Sequence, residues 1–169
     1  SAMRTTFLIL TVHAACLYAN AASVPDGGND LVSASAQSVA HAEGGGRTEK
    51  IQSPGESITE ATRVTVAAAT PDKPWSAYVT LPLDAGAVKK GDRLLVRYFA
   101  RSITGAQGKA TAKVQISGPT FEALGTSDST RFGQAWQEIH QPLIAGRDAP
   151  AGKGEVTILL GDAIQTAEI

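Results

Sequence analysis

The chain has 169 residues, of which 18% are charged, and its formal net charge is -1. A chain of this length favours a single domain with one modest core. A charge balance this close to neutral disfavours a polyphosphate partner or an anionic membrane surface, since both are recognised through clustered Lys and Arg. We therefore expect a globular protein that binds neither nucleic acid nor membrane.

The N-terminus has the features of an export signal. Ser1 and Ala2 precede Met3 and indicate the remnant of a cleaved tag. A short basic start, an apolar stretch over 7–17 and the small-x-small pattern at 19–21 predict a signal peptide over residues 3–21. The only cysteine lies inside this signal, so the mature chain has no disulfide and no thiolate ligand or nucleophile. We expect a secreted or periplasmic protein.

Residues 22–46 are rich in Ala, Ser and Gly and show no sustained apolar period, which is typical of a leader or linker that supplies at most one edge strand at its end. From residue 47 the pattern changes to short alternating runs separated by turn residues. Strands are predicted over 62–69, 75–83, 93–101, 110–117, 121–126, 136–144, 155–161 and 165–169. The absence of a helical pattern predicts an all-β domain over 47–169, an antiparallel β-sandwich or jelly roll.

The predicted last strand runs to Ile169 without a turn or a polar tail after it. We expect the domain to be truncated within this strand, and more protein to follow in the parent sequence.

Aromatic residues are scarce, so the two that lie in the predicted strand after Lys73 and Pro74 are assigned individually. Alternation places Trp75 on the same face as Val79 and Leu81, and places Tyr78 on the opposite, polar face. We therefore predict that Trp75 packs in the core and that Tyr78 is available to a ligand. The opposite assignment of these rings would require a β-bulge beside Pro74.

The outward positions of the other strands supply further polar groups. Arg97, Phe99 and Arg101 alternate on one face of their strand, where guanidinium groups and a ring suit a sugar or a carboxylate ligand. A solvated face, with arginine stems covering Phe99, is the alternative. Together the outward faces offer a candidate binding surface without an obvious reaction centre. The outward residues are Tyr78, Arg97, Phe99, Arg101, Lys113, Gln115 and His140. All of these except Lys113 are the predicted ligand-binding residues.

No catalytic motif is found. A nucleophile elbow, a phosphate-binding loop and a dinucleotide fingerprint are all absent from the sequence. His140 is the only histidine of the predicted domain, which excludes a multi-histidine metal site there. We predict no catalytic residue and no required cofactor. Oxygen-rich loops leave a structural calcium ion open as a hypothesis, since several Asp and Glu residues lie at strand ends.

Several segments together resemble a known family. They are the run 61–66, Lys73-Pro74-Trp75, the turn at 88–92 that enters the strand 93–101, the pair Ala135-Trp136 with Pro142 six residues on, and Leu160-Gly161 followed by 165–169. This combination resembles the galactose-binding-like jelly roll found N-terminal to bacterial, xylanase-like glycoside hydrolases of family ten. That fold is related to carbohydrate-binding modules of families four and nine. The resemblance covers about residues 47–169.

The resemblance implies a non-catalytic module that binds plant cell-wall polysaccharide such as xylan and is covalently linked to a catalytic domain. Two alternatives remain open. The chain is a fragment of an endo-1,4-β-xylanase whose catalytic domain lies beyond Ile169, or this domain is a spacer or a protein-binding module without glycan binding.

Overall fold

The computed structural model describes residues 28–55 and 58–169, without the side chains of 53–55. The predicted tag remnant and signal peptide, residues 1–21, lie outside the described residues. In the described part of the chain, no helix is long and apolar enough to cross a membrane.

The described residues form two antiparallel sheets. The strands are β1 (Val39–Ala42), β2 (Arg47–Gly55), β3 (Ile58–Val66), β4 (Ala77–Leu83), β5 (Arg93–Ser102), β6 (Gly108–Ile116), β7 (Ala123–Thr126), β8 (Thr130–Phe132), β9 (Gln137–Ile144), β10 (Gly154–Leu159) and β11 (Gln165–Glu168). A single turn of 3-10 helix covers Pro74–Ser76, immediately before β4. The predicted all-β sandwich with jelly-roll character is confirmed.

The first sheet has the strand order β1-β4-β10-β6-β7, and β8 also pairs with β6. The second sheet has the order β2-β3-β11-β5-β9. Strands that are consecutive in the chain therefore often lie in different sheets: β4 and β6 belong to the first sheet, whereas β5 between them belongs to the second. This alternation decides which of the predicted site residues meet.

The core lies between the two sheets and is built from the inward positions of their strands. In β4, Val79, Leu81 and Leu83 are buried, and in β5 Val96 and Tyr98 are buried, as the alternation predicts. The Tyr98 hydroxyl donates a hydrogen bond to Gln141 Oε1 at 2.9 Å, and burial raises the pKa of this phenol. The buried hydroxyl of Tyr98 therefore has a partner.

The sandwich begins before residue 47. Leu31 and Val32 are buried in the core, and the Asp84 carboxylate accepts hydrogen bonds from the backbone N–H and the hydroxyl of Ser33 at 2.7 and 2.6 Å. Strand β1 then pairs with β4 as the edge of the first sheet. The second half of the segment predicted as a leader is therefore part of the domain, and it contributes more than one edge strand.

Trp75 is not in the core, contrary to the prediction, since its exposure is 52%. The two-residue alternation begins only at Ala77, because the chain enters the 3-10 turn at Pro74 and turns the Trp75 side chain away from the strand's inner face. The alternation of β4 itself was predicted correctly. The error was to extend it backwards across a proline.

Candidate functional site

The outer face of the first sheet carries an open groove of about 500 Å³. Its floor is formed by side chains of β1, β4, β10 and β6, and its ends are formed by Trp75, before β4, and by Phe121, in the loop between β6 and β7. We call this feature the groove.

Strand pairing arranges the floor of the groove in three rows that cross the strands. In the first row, His41 and Leu159 lie on either side of Tyr78. The second row holds Thr80, Thr157 and Lys113, and the third holds Glu155 and Gln115. Rows two residues apart are separated by about 7 Å, so the floor extends for about 14 Å along the strands. That length suits an oligosaccharide rather than one sugar ring.

The first row is the aromatic part of the floor. The rings of His41 and Tyr78 lie with centroids 5.4 Å apart and an interplanar angle of 34°. Tyr78 is half-buried and faces the groove. An aromatic ring held in place by a neighbour offers a flat apolar surface at little conformational cost.

The other two rows present polar groups that are held by one another. Thr80 Oγ1 and Thr157 Oγ1 lie 2.9 Å apart in a hydrogen bond, and Gln115 Nε2 donates to Glu155 Oε1 at 2.5 Å. Both Thr157 and Gln115 are more than nine-tenths buried. The floor therefore presents oriented hydroxyl, amide and carboxylate groups, which suit ligands rich in hydroxyl groups.

Three contacts, two with Glu43 and one with Gly161, hold the turn that carries Trp75 at the end of the groove. The Glu43 backbone N–H donates to Ser76 O at 2.8 Å, and the Lys73 ammonium pairs with the Glu43 carboxylate at 2.6 Å. The Gly161 backbone N–H donates to Pro74 O at 2.9 Å. A Cβ at Gly161 would lie 2.7 Å from Pro74 O and closer still to Ser76 Oγ, so only glycine lets the segment after β10 approach this turn.

The hydrogen bond and the charge of Lys73 hold the pKa of the Glu43 carboxyl below its ordinary value, with a smaller contribution from His41 in the same direction. Glu43 is therefore ionised when Lys73, in the turn before Trp75, contacts it just after the end of β1. The ion pair between Lys73 and Glu43 therefore stabilises the turn that carries Trp75.

Phe121 forms the opposite end of the groove, and its backbone adopts a left-handed conformation. Its φ is 49°, in the left-handed region, which costs a bulky residue about 1 kcal/mol or more. The ring lies against Gly118, where a Cβ would be 3.2 Å from Phe121 Cζ. Phe121 is 50% exposed and Trp75 is 52% exposed, so both ends of the groove present an aromatic ring to solvent.

The structure divides the predicted site residues between two opposite faces. Tyr78, Gln115 and Lys113 lie in the groove. The other four, Arg97, Phe99, Arg101 and His140, lie on β5 and β9 of the second sheet and do not join them. The prediction of a single surface was wrong because it pooled outward residues from strands that belong to different sheets.

The three charged or titratable residues that were predicted for the site and lie on the second sheet, Arg97, Arg101 and His140, are paired within the protein. Arg97 Nε lies 3.2 Å from Glu138 Oε1, and His140 Nε2 lies 3.3 Å from the same oxygen. Arg101 Nε lies 2.7 Å from Glu168 Oε2, and its guanidinium carbon lies 4.8 Å from the centre of the Trp136 ring. We call this surface the paired face. Each of these two guanidinium groups has a carboxylate partner at its Nε atom.

Several groove residues were missed by sequence reasoning. Trp75 was assigned to the core, and Phe121 was assigned to a strand that in fact begins at Ala123. His41 and Glu43 fell in the segment treated as a leader. A usable signal existed for Phe121, because Gly118 and Pro119 precede it and mark a loop.

In the described part of the chain, no three His, Cys, Asp or Glu side chains are grouped so that they could hold a metal ion. The hypothesis of a structural calcium ion therefore finds no ligand cluster among these residues.

No protein-family profile matches the chain, and no curated protein sequence matches it. Solved structures do match its fold. A structure titled "CBM4 structure and function" is 12% identical with a TM-score of 0.52, over 73% of this chain and 73% of that one. The xylan-binding domain CBM22-1 of Xyn10C from Paenibacillus barcinonensis is also 12% identical with a TM-score of 0.52, over 78% of this chain and 80% of that one.

A third match is the CBM22-1-GH10 portion of endo-1,4-beta-D-xylanase 10B from Clostridium thermocellum, in complex with xylohexaose. It is 12% identical with a TM-score of 0.51, over 78% of this chain, but this chain spans only 24% of that one. At such low identity the likeness shows the fold alone. The fold class of this chain is therefore a β-sandwich of the kind that carbohydrate-binding modules have. The groove is described from the residues of this chain itself.

Proposed function

We propose that this domain is a non-catalytic carbohydrate-binding module that binds a plant cell-wall polysaccharide such as xylan in the groove. The observation that carries the proposal is the groove itself: a floor of mutually held polar groups with an aromatic ring at each end and Tyr78 within it. Sugar rings have apolar faces that stack on aromatic rings and hydroxyl edges that need fixed hydrogen-bond partners.

The similar structures support this proposal through their titles, which name a xylan-binding domain and a xylanase portion that holds xylohexaose. By analogy, we further propose that the domain is secreted and is covalently linked to a glycoside hydrolase domain in its parent protein. Its role would then be to hold the enzyme on the polysaccharide. Shallow, open sites of this kind suit dissociation constants from micromolar to millimolar, about -8 to -4 kcal/mol.

The test uses one aromatic residue from each face. The protein is mixed with insoluble xylan, cellulose and mannan, and the unbound fraction is measured for wild type, Tyr78→Ala and Phe99→Ala. We expect retention on xylan that Tyr78→Ala weakens about tenfold or more, because a stacked aromatic anchor contributes at least about 1.4 kcal/mol. Phe99→Ala makes the same truncation on the paired face and should leave retention unchanged.

Two results would contradict the proposal in different ways. If Phe99→Ala weakened retention and Tyr78→Ala did not, the ligand would bind to the paired face and the groove assignment would be wrong. If wild type were retained on none of the three polysaccharides, the domain would be a spacer or a protein-binding module.

A further inference from the structure

The groove contains a lysine, Lys113, that has no counter-ion among the described residues. Of the two carboxylates that line the groove, Glu43 is paired with Lys73 and Glu155 accepts a hydrogen bond from Gln115. Lys113 forms no ion pair with any described residue within 4.0 Å. Its ammonium makes one contact, 3.5 Å from the backbone oxygen of Phe121, which is the long limit for a hydrogen bond. At least two of its three donors are therefore free for a ligand.

The position of this ammonium is defined by its neighbours. Lys113 stands opposite Thr157 in the second row, and its stem is half-buried in the floor. The contact with the Phe121 carbonyl places the charged end of Lys113 at the end of the groove that Phe121 forms. A ligand that stacks on Phe121 would therefore cover the ammonium and remove part of its water.

Removing water from an unpaired cation is unfavourable unless the ligand supplies compensation. The hydroxyl groups of a neutral sugar replace the lost hydrogen bonds but leave the charge unbalanced. A carboxylate on the sugar replaces the hydrogen bonds and also balances the charge, since it accepts hydrogen bonds from two of the free N–H groups and is negative.

We propose that Lys113 makes the groove selective for polysaccharide chains that carry uronic acid carboxylates, and that it binds the carboxylate beside Phe121. This inference rests on the proposed function, because it names a subclass of the same ligand. Glu155 lies diagonally from Lys113 on the same face, on the strand next to it, and it limits the gain. We expect a preference of about threefold to tenfold, larger than a fully exposed pair would give.

The experiment measures affinity by calorimetry for three soluble oligosaccharides with the same β-1,4-xylose backbone. One is unbranched, one carries a uronic acid branch, and the third carries the same branch with its carboxyl reduced to an alcohol. Wild type should bind the acidic form about threefold to tenfold more tightly than the reduced form. An oligogalacturonide, with carboxylates along its backbone, tells whether branch or backbone acids are preferred.

Lys113→Met should bring the ratio of the two affinities, acidic to reduced, close to one. Lys90→Met removes the same charge from the exposed turn before β5, outside the groove, and should leave the ratio at its wild-type value. Raising the salt concentration should also lower the ratio in wild type, since the preference is electrostatic.

The failures are distinguishable. Equal affinity of wild type for the acidic and reduced oligosaccharides overturns the selectivity and leaves the proposed function standing. A preference that survives in Lys113→Met overturns the role of this residue. If none of the oligosaccharides binds, the proposed function fails and the selectivity fails with it.

Discussion

The two outer faces of the sandwich are built from similar residue types but use them differently. On the paired face, Arg97 and Arg101 lie within 3.2 and 2.7 Å of carboxylate oxygens. In the groove, no carboxylate of the described residues pairs with Lys113, and Trp75 and Phe121 are half exposed. The difference shows that an outward Arg or aromatic residue indicates a binding surface only when its neighbours leave it uncommitted.

Glu168 shows why the paired face is structural. Its carboxylate is fully buried, and it accepts hydrogen bonds from Arg101 at 2.7 Å and from Arg63 at 2.6 and 3.0 Å. It ties β11 to both of its neighbours, since Arg63 belongs to β3 and Arg101 to β5. Charge on this face therefore holds the sheet together, whereas the ammonium of Lys113 in the groove remains available to a ligand.

The largest effect is expected from breaking this buried carboxylate. Glu168→Gln should lower the free energy of unfolding by about 3 kcal/mol, because two guanidinium groups lose the charge that pairs them. Denaturant unfolding measures the change, and affinity for xylo-oligosaccharide in the folded variant should equal that of wild type. Glu122→Gln, which removes an exposed partner of Arg147, should cost less than about 1 kcal/mol. Equal costs for the two variants would contradict the contrast between buried and exposed pairs.

A smaller effect is expected at the Trp75 end of the groove. Trp75→Ala should weaken oligosaccharide affinity about tenfold with little change in stability, because the ring is half exposed and truncation leaves no cavity.

Fluorescence adds an independent check, since the chain has two tryptophans, one at each face. Trp136→Phe leaves Trp75 as the reporter, and its emission should change on ligand addition. Trp75→Phe leaves Trp136, whose emission should stay constant. A response from Trp136 alone would place the ligand on the paired face.

The smallest effect is expected from pH. The pKa of Glu43 is lowered from 4.5, chiefly by the hydrogen bond from Lys73. The ion pair therefore stabilises the turn that carries Trp75 fully above pH 4.5, and this stabilisation is lost as the pH falls through the lower pKa of the folded state. Lys73→Met should reduce oligosaccharide affinity about twofold near neutral pH, and wild type and variant should converge in acid. Affinities measured from about pH 7 to about pH 3 give the test. A constant difference across that range would show that Lys73 acts through packing rather than charge.

Sequence reasoning succeeded where the cause is local. Alternation in β4 and β5 identifies their buried and outward sides, because side chains on a strand point to opposite faces whatever the strand pairs with. It failed at Trp75, where a proline starts a turn and shifts the phase of the pattern. It also failed at Leu31 and Val32, whose isolated apolar pair has no period to reveal that the core covers it.

The composition and period of the chain therefore determine an all-β sandwich and the inward side of its regular strands, since side chains alternate along a strand whatever it pairs with. The choice between groove and paired face was made by tertiary structure. Interleaving of the strands places Tyr78 and Gln115 on one sheet and Arg97 and His140 on the other. Register then gives Arg97 its Glu138 and leaves Lys113 without a carboxylate partner among the described residues. Such long-range pairing is set by the packing of the whole sandwich rather than by neighbouring residues.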